Sequence, residues 1–365
     1  MPSAYKAHLH HAHYYVEIAS RARVLYKEGG VHIKAGLELF DGERAQIDTG
    51  LNWARRQSGH SETDQLLLQY AGVTAYIGLL RYDTQTERIP QLAVTVEAAR
   101  RLGRKMAEGS ALGNLGLALM AIGDVHQAIA YYEQHLALAR ETDDRVGESN
   151  ALGNLGNAYR NLGQPQHAVT YYAQQLEIVR AIGNKRGEGN ALGNLGNAYR
   201  NLGKIEQSIG CYEQHLALAR EIGDRNGEGI TLGNLGLAFN AQGDVRRAIT
   251  CYELALQIVR DIGNRHSEVY ILGSLGNAHT ALGEIDQALP YLERSVEIAH
   301  EVGNRHSEAM ARWNLGWAYQ QQGDLARAVE LMQANVDFKR AIGHPEAEQR
   351  ATELDQLRQR LRQSQ

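Results

Sequence analysis

ALGNLGNAYRNLG stands at residues 151–163 and again, unchanged, at 191–203. Weaker copies lie 40 residues to either side, so units start at Ala111, Ala151, Ala191, Thr231, Ile271 and Ala311. A more degenerate unit, Ala71 to Ser110, keeps the length, a Leu102-Gly103 corner and a Glu108-Gly109 pair, which brings the expected total to seven. A unit of this size cannot bury its apolar face alone; it buries it against its neighbours, and the chain stacks into a solenoid. The expected fold is all-α, an α-solenoid of stacked antiparallel helix pairs.

Each unit reads as two helices. Over 144–183, Asp144 is placed to cap a first helix whose Leu152, Leu155, Tyr159 and Leu162 recur at helical spacing, and Gly163 stops it. Pro165 opens the second, Ala168, Val169, Tyr172, Leu176 and Val179 carry its apolar face, and Gly183 ends it. The same punctuation recurs at Asp143-Asp144, Asn184, Asp224, Asn264 and Asn304.

A basic residue after the cap and a glutamate three further on recur as Lys105/Glu108, Arg145/Glu148, Lys185/Glu188, Arg225/Glu228, Arg265/Glu268 and Arg305/Glu308. The spacing is one helical turn, and the helix dipole favours the glutamate in the first turn, so these read as structural pairs. Cys211 and Cys251 occupy equivalent places in adjacent repeats. Stacked helices lie about 8 to 10 Å apart, beyond the roughly 7 Å reach of a disulfide; the reading is two free buried thiols in a reducing cytoplasm.

Several function classes are set aside. No apolar run approaches the roughly 20 residues that a membrane helix needs, and the N-terminus lacks the pattern of an export leader. A net charge of -4 without a basic stripe argues against nucleic acid. His8, His10, His11 and His13 fall on a helix as two pairs without a supporting cysteine or carboxylate cluster, short of the three or four converging ligands of a zinc site. No GxSxG elbow, HExxH or phosphate loop is present. The expectation is a non-enzyme without metal or cofactor.

The order Leu155-Gly156, Tyr159, Gly163, Ala168 and Tyr172 resembles a tetratricopeptide repeat in its lengthened, 40-residue form, over about Ala71 to Gly343. The phrase Leu-Gly-Asn-Ala-Tyr and the Gly-Asp/Asn-Arg/Lys corner are similar to the repeat domains of Pins-type adaptors, with kinesin light chains more distant. The resemblance implies a right-handed superhelix whose first helices line an inner, peptide-binding groove. One departure is on the second helix, where the family's small alanine is replaced by His135, Gln175, His215, Ala255, Ser295 and Asn335. HAHYYVEIA with GLELFDGERAQIDTGLNWA, within Ala7 to Arg56, resembles the segment that joins the ATPase part of bacterial STAND-type regulators to their C-terminal repeat array. The resulting division is an N-terminal helical segment over 1–70, the array over 71–343 and a capping helix over 344–365. Tyr5 to Tyr26 is expected to be helical, with another helix after Phe40-Asp41 marked by Ile47, Leu51 and Ala54; Leu354, Leu357 and Leu361 mark the cap.

The sharper signal is on the first helix. At 100° per residue Asn150, Asn154, Asn157 and Asn161 share an arc of about 60° opposite the leucines, and Asn190, Asn194, Asn197 and Asn201 repeat it. Asparagine is about 0.5 kcal/mol worse than alanine inside a helix, so something favours it. A carboxamide matches the N–H and C=O of an extended peptide; Gly153 and Gly193 would let that backbone approach; Arg160 and Arg200 border the stripe and would pair with ligand carboxylates. An amide ladder between repeats is the second reading, and recent duplication a third. Flanking repeats are greasier, with Leu117, Ile230, Leu237, Tyr270, Met310 and Trp317 replacing asparagines while Asn114, Asn234, Asn277 and Asn314 remain. This suits a ligand with apolar anchors, unless the C-terminal segment covers Trp313 and Trp317. The expected function is a scaffold that binds a partner's extended segment with acidic and apolar residues. The alternatives are a sensor or autoinhibitory module of a STAND-type ATPase, and a structural array that self-associates through its end repeats.

Overall fold

The structure is a computed structural model that describes residues 2–363, with side chains from residue 4 onward. The chain divides into two compact units, Met1–Asn184 and Lys185–Gln365. Every regular element among the described residues is helical, in consecutive packed pairs, and the molecule is an all-α solenoid.

The first unit opens with α1 (Pro2–Glu28) and α2 (His32–Arg56), joined at Gly29 and Gly30, which take φ of +79° and +55°. The helix expected after Phe40-Asp41 instead begins at His32 and runs through both residues. Gly36, inside α2, lets α1 come close: a Cβ there would lie 2.6 Å from the carbonyl oxygen of Ala22. Tertiary contact thus outweighs the poor helix propensity of glycine. α3 (Ser61–Thr74), a single-turn α4 (Gly78–Arg81), a π-helical turn (Thr84–Arg88) and α5 (Ile89–Arg101) follow. Phe40, Ile47, Leu66, Leu67 and Tyr70 are fully buried among them. Two repeat pairs complete the unit, α6 (Lys105–Ala121) with α7 (Val125–Glu141) and α8 (Arg145–Asn161) with α9 (Pro165–Ala181).

The second unit is built from α10 (Lys185–Asn201) with α11 (Ile205–Glu221), α12 (Arg225–Gln242) with α13 (Val245–Asp261), α14 (Arg265–Ala281) with α15 (Ile285–Glu301), and α16 (Arg305–Gln322) with α17 (Leu325–Ala341). α18 (Ala347–Gln363) closes it.

The caps fall where the sequence puts them. Asp144 and Asp224 accept hydrogen bonds from the backbone N–H of Gly147 and Gly227 at 2.9 Å, and Asn264 and Asn304 do the same for Ser267 and Ser307. Corner glycines such as Gly163 (φ +70°) adopt the left-handed conformation that ends these helices. Asp143 holds that place with φ +52°, the one non-glycine at positive φ among the described residues.

The second Leu-Gly glycine explains the pairing of the two helices. Tyr132, Tyr172, Tyr212 and Tyr252 are buried against Gly116, Gly156, Gly196 and Gly236, and a Cβ at Gly156 would stand 2.4 Å from the Tyr172 ring. In the last two repeats Leu292 and Met332 fill the same place. The repeated glutamate is a clamp rather than a simple pair. Glu148 is held by Arg140 at 2.9 Å and Arg145 at 2.6 Å, and Glu228 by Arg220 and Arg225. Burial works to raise the Glu228 pKa, but the two arginine hydrogen bonds prevail and hold it below the ordinary glutamate value. Lys105 departs from this scheme and pairs with Glu141 at 2.5 Å, as Lys185 does with Glu221.

The C-terminal helix is anchored by packing and charge. Leu354 and Leu357 are buried with Trp313 and Met332, Leu361 is half-buried, and the Arg350 guanidinium lies 4.2 Å over the Trp313 ring. Lys339, only 3% exposed, reaches Glu346 at 2.6 Å and ties α17 to the start of α18.

Candidate functional site

The first-helix face is where the sequence concentrates its unexplained polar residues. On α8, Leu152 and Leu155 are fully buried, Asn154 and Asn157 are half-buried, and Asn150 and Asn161 are exposed. On α10, Asn194 and Asn197 are half-buried, with Asn190 and Asn201 exposed.

These amides do not share one task. Asn157 Oδ1 accepts the hydroxyl hydrogen of Tyr172 at 2.8 Å, and Asn197 Oδ1 that of Tyr212 at 2.8 Å. A buried phenol needs an acceptor, so these two asparagines complete the Tyr–Gly lock within their own repeat. Neither ligand contact nor an inter-repeat ladder is needed to explain them. The signal was in the sequence, because each tyrosine follows its asparagine by 15 residues. Gly153 and Gly193 are also taken up internally. A Cβ would meet the Gln175 amide at 2.6 Å in one case and the His215 ring at 3.1 Å in the other, so the space under each glycine holds a second-helix side chain and not a ligand backbone. The unusual residues of the second helix are thus accommodated by glycines facing them. Ser295 and Asn335 bond instead to the carbonyl oxygens of Val269 and Ala309, at 2.9 and 2.8 Å.

What remains on these two helices is less fully bonded. Asn154 and Asn194 make no side-chain hydrogen bond among the described residues. Arg160 and Arg200 are half-buried and make no ion pair among the described residues, in contrast to the glutamate-bound Arg145 and Arg225 at the helix starts. Arg200 Nε is buried and has no hydrogen-bond partner. Burial pushes the Tyr212 hydroxyl pKa up, and the adjacent Arg200 guanidinium opposes that shift.

In the second unit α12, α14, α16 and α18 enclose a cavity of about 670 Å³. It brings together Leu237, Asn277, Asn314 and Trp317, four of the residues singled out from sequence; Asn234 is half-buried on α12 outside it. The C-terminal segment does lie over Trp313 and Trp317, one of the alternatives read from sequence; the charged residues it brings to the wall beside Leu357, namely Arg350, Glu353 and Arg360, were not read from sequence. The tryptophans divide: Trp313 is 7% exposed beneath Arg350, whereas Trp317 is half-buried on the cavity. Leu117, Ile230 and Tyr270 on the flanking repeats are exposed, about half of each side chain.

Other candidate chemistry resolves into packing. His8 stacks on Trp53 with ring centroids 5.9 Å apart and His11 bonds to Gln46 at 2.9 Å. No group of three metal-ligating side chains is gathered among the described residues. Cys211 and Cys251 are half-buried rather than fully so, and burial pushes the Cys251 pKa up to about 11. Among the described residues no helix is long and apolar enough to cross a membrane.

Comparison with known proteins agrees with this architecture. No curated protein sequence matches the chain. Among solved structures it is similar in fold to BtubC from P. vanneervenii, with 24% identity and a TM-score of 0.55 over 61% of this chain and 94% of that one. A Signal Transduction ATPase with Numerous Domains (STAND) protein with a tetratricopeptide repeat sensor, from Pyrococcus horikoshii, aligns with 86% of this chain at 16% identity and a TM-score of 0.60; the chain spans about half of that protein, 49%. A Rap protein complexed with Competence and Sporulation Factor aligns over 99% of both chains at 14% identity and a TM-score of 0.55. The profile of the tetratricopeptide repeat matches residues 108–181, 187–261 and 268–340, more than half of the sequence. The chain belongs to the tetratricopeptide-repeat family.

Proposed function

We propose that this protein is a non-catalytic scaffold whose first-helix faces capture an extended segment of a partner protein. Tetratricopeptide repeats and the similar folds support an interaction scaffold in general. The observation that carries the finer reading is Arg200, whose Nε is withdrawn from water without a hydrogen-bond partner. Such a donor costs stability until something accepts from it, and a ligand carboxylate is the natural acceptor for a guanidinium. Arg160 stands at the equivalent place on α8, next to unbonded Asn154 as Arg200 is to Asn194. In this reading residues 1–70 are an accessory segment, 71–343 the recognition array and 344–365 its cap. The partner segment carries acidic and apolar residues, and the protein works in the cytoplasm.

The test is affinity capture with the wild-type chain and with Asn154→Ala, Asn194→Ala, Arg160→Glu and Arg200→Glu combined. Asn157 and Asn197 are left intact because they hold buried tyrosine hydroxyls. A partner retained by the wild type and lost by the variant, at unchanged helicity, supports the reading; equal retention by both rejects it.

A second reading, the sensor module of a STAND-type ATPase, has one observation in its favour. The likeness to the STAND protein extends over 86% of this chain, well beyond the repeats matched by the family profile. Co-purification with a nucleotide-hydrolysing protein whose turnover changes on adding this chain would favour it over a free-standing scaffold.

A further inference from the structure

Arg88 is the exception among the buried charges. Histidines aside, the other charged side chains buried among the described residues are Asp64, Glu148, Glu228, Glu268 and Lys339, and each meets an opposite charge within 2.9 Å. Arg88 is 7% exposed and makes no side-chain hydrogen bond or ion pair among the described residues. Its more exposed neighbours Arg44, Arg81, Arg100 and Arg101 are all bound to carboxylates. A buried charge without a partner is costly. Burial pushes the Arg88 pKa down and no neighbouring charge opposes that shift, yet a guanidinium stays protonated.

The local chain turns this side chain inward. Asp83 opens the π-helical turn by accepting from the backbone N–H of Thr86 at 2.7 Å, and the Arg88 N–H closes it on the Asp83 carbonyl at 2.9 Å. Glu87 faces outward, bound to Arg44 at 2.9 Å, and Arg88, the next residue, lines a cavity of about 20 Å³ with residues of α3, α5 and α6. Unlike Arg200 Nε, none of its nitrogens is sealed from that space.

The rest of the wall supplies no counter-charge, since it holds no acidic residue. The Tyr70 and Tyr82 hydroxyls already donate, to the Ala12 carbonyl and to Asp48, and burial pushes both phenol pKa values up, so both stay neutral. Thr74 and Thr95 donate to carbonyls of their own helices. The unspent donors are the guanidinium and the amides of Gln91 and Asn114, which are half-buried and make no side-chain hydrogen bond among the described residues. Donors around one positive charge select an anion. One water needs about 10–15 Å³, so this space suits the two oxygens of a carboxylate and is too small for a peptide. The guanidinium fork matches those two oxygens, and Leu51, Ala71, Ala75 and Leu92 leave the remaining surface apolar.

We infer that the Arg88 cavity is a binding site for the carboxylate of a small organic acid. Arg88 pairs with both oxygens, the Gln91 and Asn114 amides donate beside it, and the short hydrocarbon part lies against the leucines and alanines. The site is separate from partner capture on α8 and α10. Occupancy neutralises the unpaired charge where the N-terminal helices meet the first repeat pair, so it should stabilise the fold by linkage.

The experiment keeps the full chain in Tris buffer at constant ionic strength and replaces sodium chloride stepwise by sodium acetate, propionate or phosphate. Melting temperature and saturation-transfer NMR of the acetate methyl group are read. Acetate and propionate should raise the melting temperature saturably, with a Kd on the order of 1–10 mM, and phosphate should not. Arg88→Met removes an unpaired buried charge, so its melting temperature without acetate should not fall, while acetate affinity should drop at least about tenfold. Gln91→Ala keeps the charge and should weaken acetate several-fold. Arg88→Lys keeps the charge but loses the fork; it should bind acetate more weakly than the wild type, and it decides the matter if Arg88→Met does not fold. No saturable response to acetate, an equal response to phosphate, or unchanged acetate affinity in the Arg88 variant that folds would overturn the assignment.

Discussion

The hydroxyl of Tyr172 donates to Asn157 Oδ1 across 2.8 Å, joining the second helix of a repeat to the first. The same bond links Tyr212 to Asn197. An asparagine that sequence reading assigns to a ligand is thereby partly a structural residue, and its removal should be felt as stability.

Asn157→Ala leaves the buried Tyr172 hydroxyl without this acceptor and should cost about 1–3 kcal/mol. Tyr172→Phe combined with Asn157→Ala should cost less than the two single changes added together. Thermal unfolding of the four members of that cycle measures the coupling; strict additivity would show that the bond contributes nothing.

Glycines in this chain are not equivalent. Gly156→Ala drives a Cβ to 2.4 Å from a tyrosine ring that is itself fully buried, and should destabilise by about 1–3 kcal/mol. Gly210, inside α11, has nothing within 4 Å of its would-be Cβ. Gly210→Ala should therefore stabilise by up to about 1 kcal/mol through helix propensity. Opposite shifts in melting temperature are expected, and shifts of the same sign would contradict the packing described.

His135 and His215 lie in equivalent second-helix positions, and burial pushes both imidazole pKa values down, against the opposing pull of Asp144 and Asp224. Their folded pKa is below the unfolded value of about 6.5, so the unfolded chain binds protons first as the pH falls. Their contribution is thus present in full above about pH 6.5 and is lost progressively down to the folded pKa. His135→Gln with His215→Gln should flatten the loss of stability between neutral pH and about pH 5. Denaturation midpoints measured across that range check the sign.

Asn277→Leu replaces a buried, unpartnered amide oxygen by the residue found at Leu117 and Leu237, facing Leu292. Stability should rise by about 1–2 kcal/mol. A fall in melting temperature would mean that the amide is satisfied in solution, for example by water.

The repeat boundaries, the helix pairs and the caps were legible because they depend on local chemistry. Asp144 and Asp224 cap through hydrogen bonds to residues three positions on, and Gly163 turns the chain through its own φ. The start of α2 was not legible, since Gly36 looks like a weakness in a helix until α1 is packed against it. The site was half legible. Helical periodicity placed the asparagines on one side of α8 and α10, but it is blind to the second helix of the repeat, whose Tyr172 and Tyr212 claim two of them and whose Gln175 and His215 fill the space beneath Gly153 and Gly193.

By itself, then, the sequence determined the period, the helical class and the family, because a 40-residue repeat carries its caps and apolar spacing within each copy. Tertiary structure decided which polar groups are spent on the fold and which are left over. Asn157 and Asn277 occupy the same place in their repeats, and one is bonded while the other is not, because Tyr172 faces the first and Leu292 the second. Hydrogen bonds are satisfied in space, between residues that repeat periodicity treats separately, and α18 reaches the wall of the cavity at Trp317 only after the chain has folded back over α16 and α17.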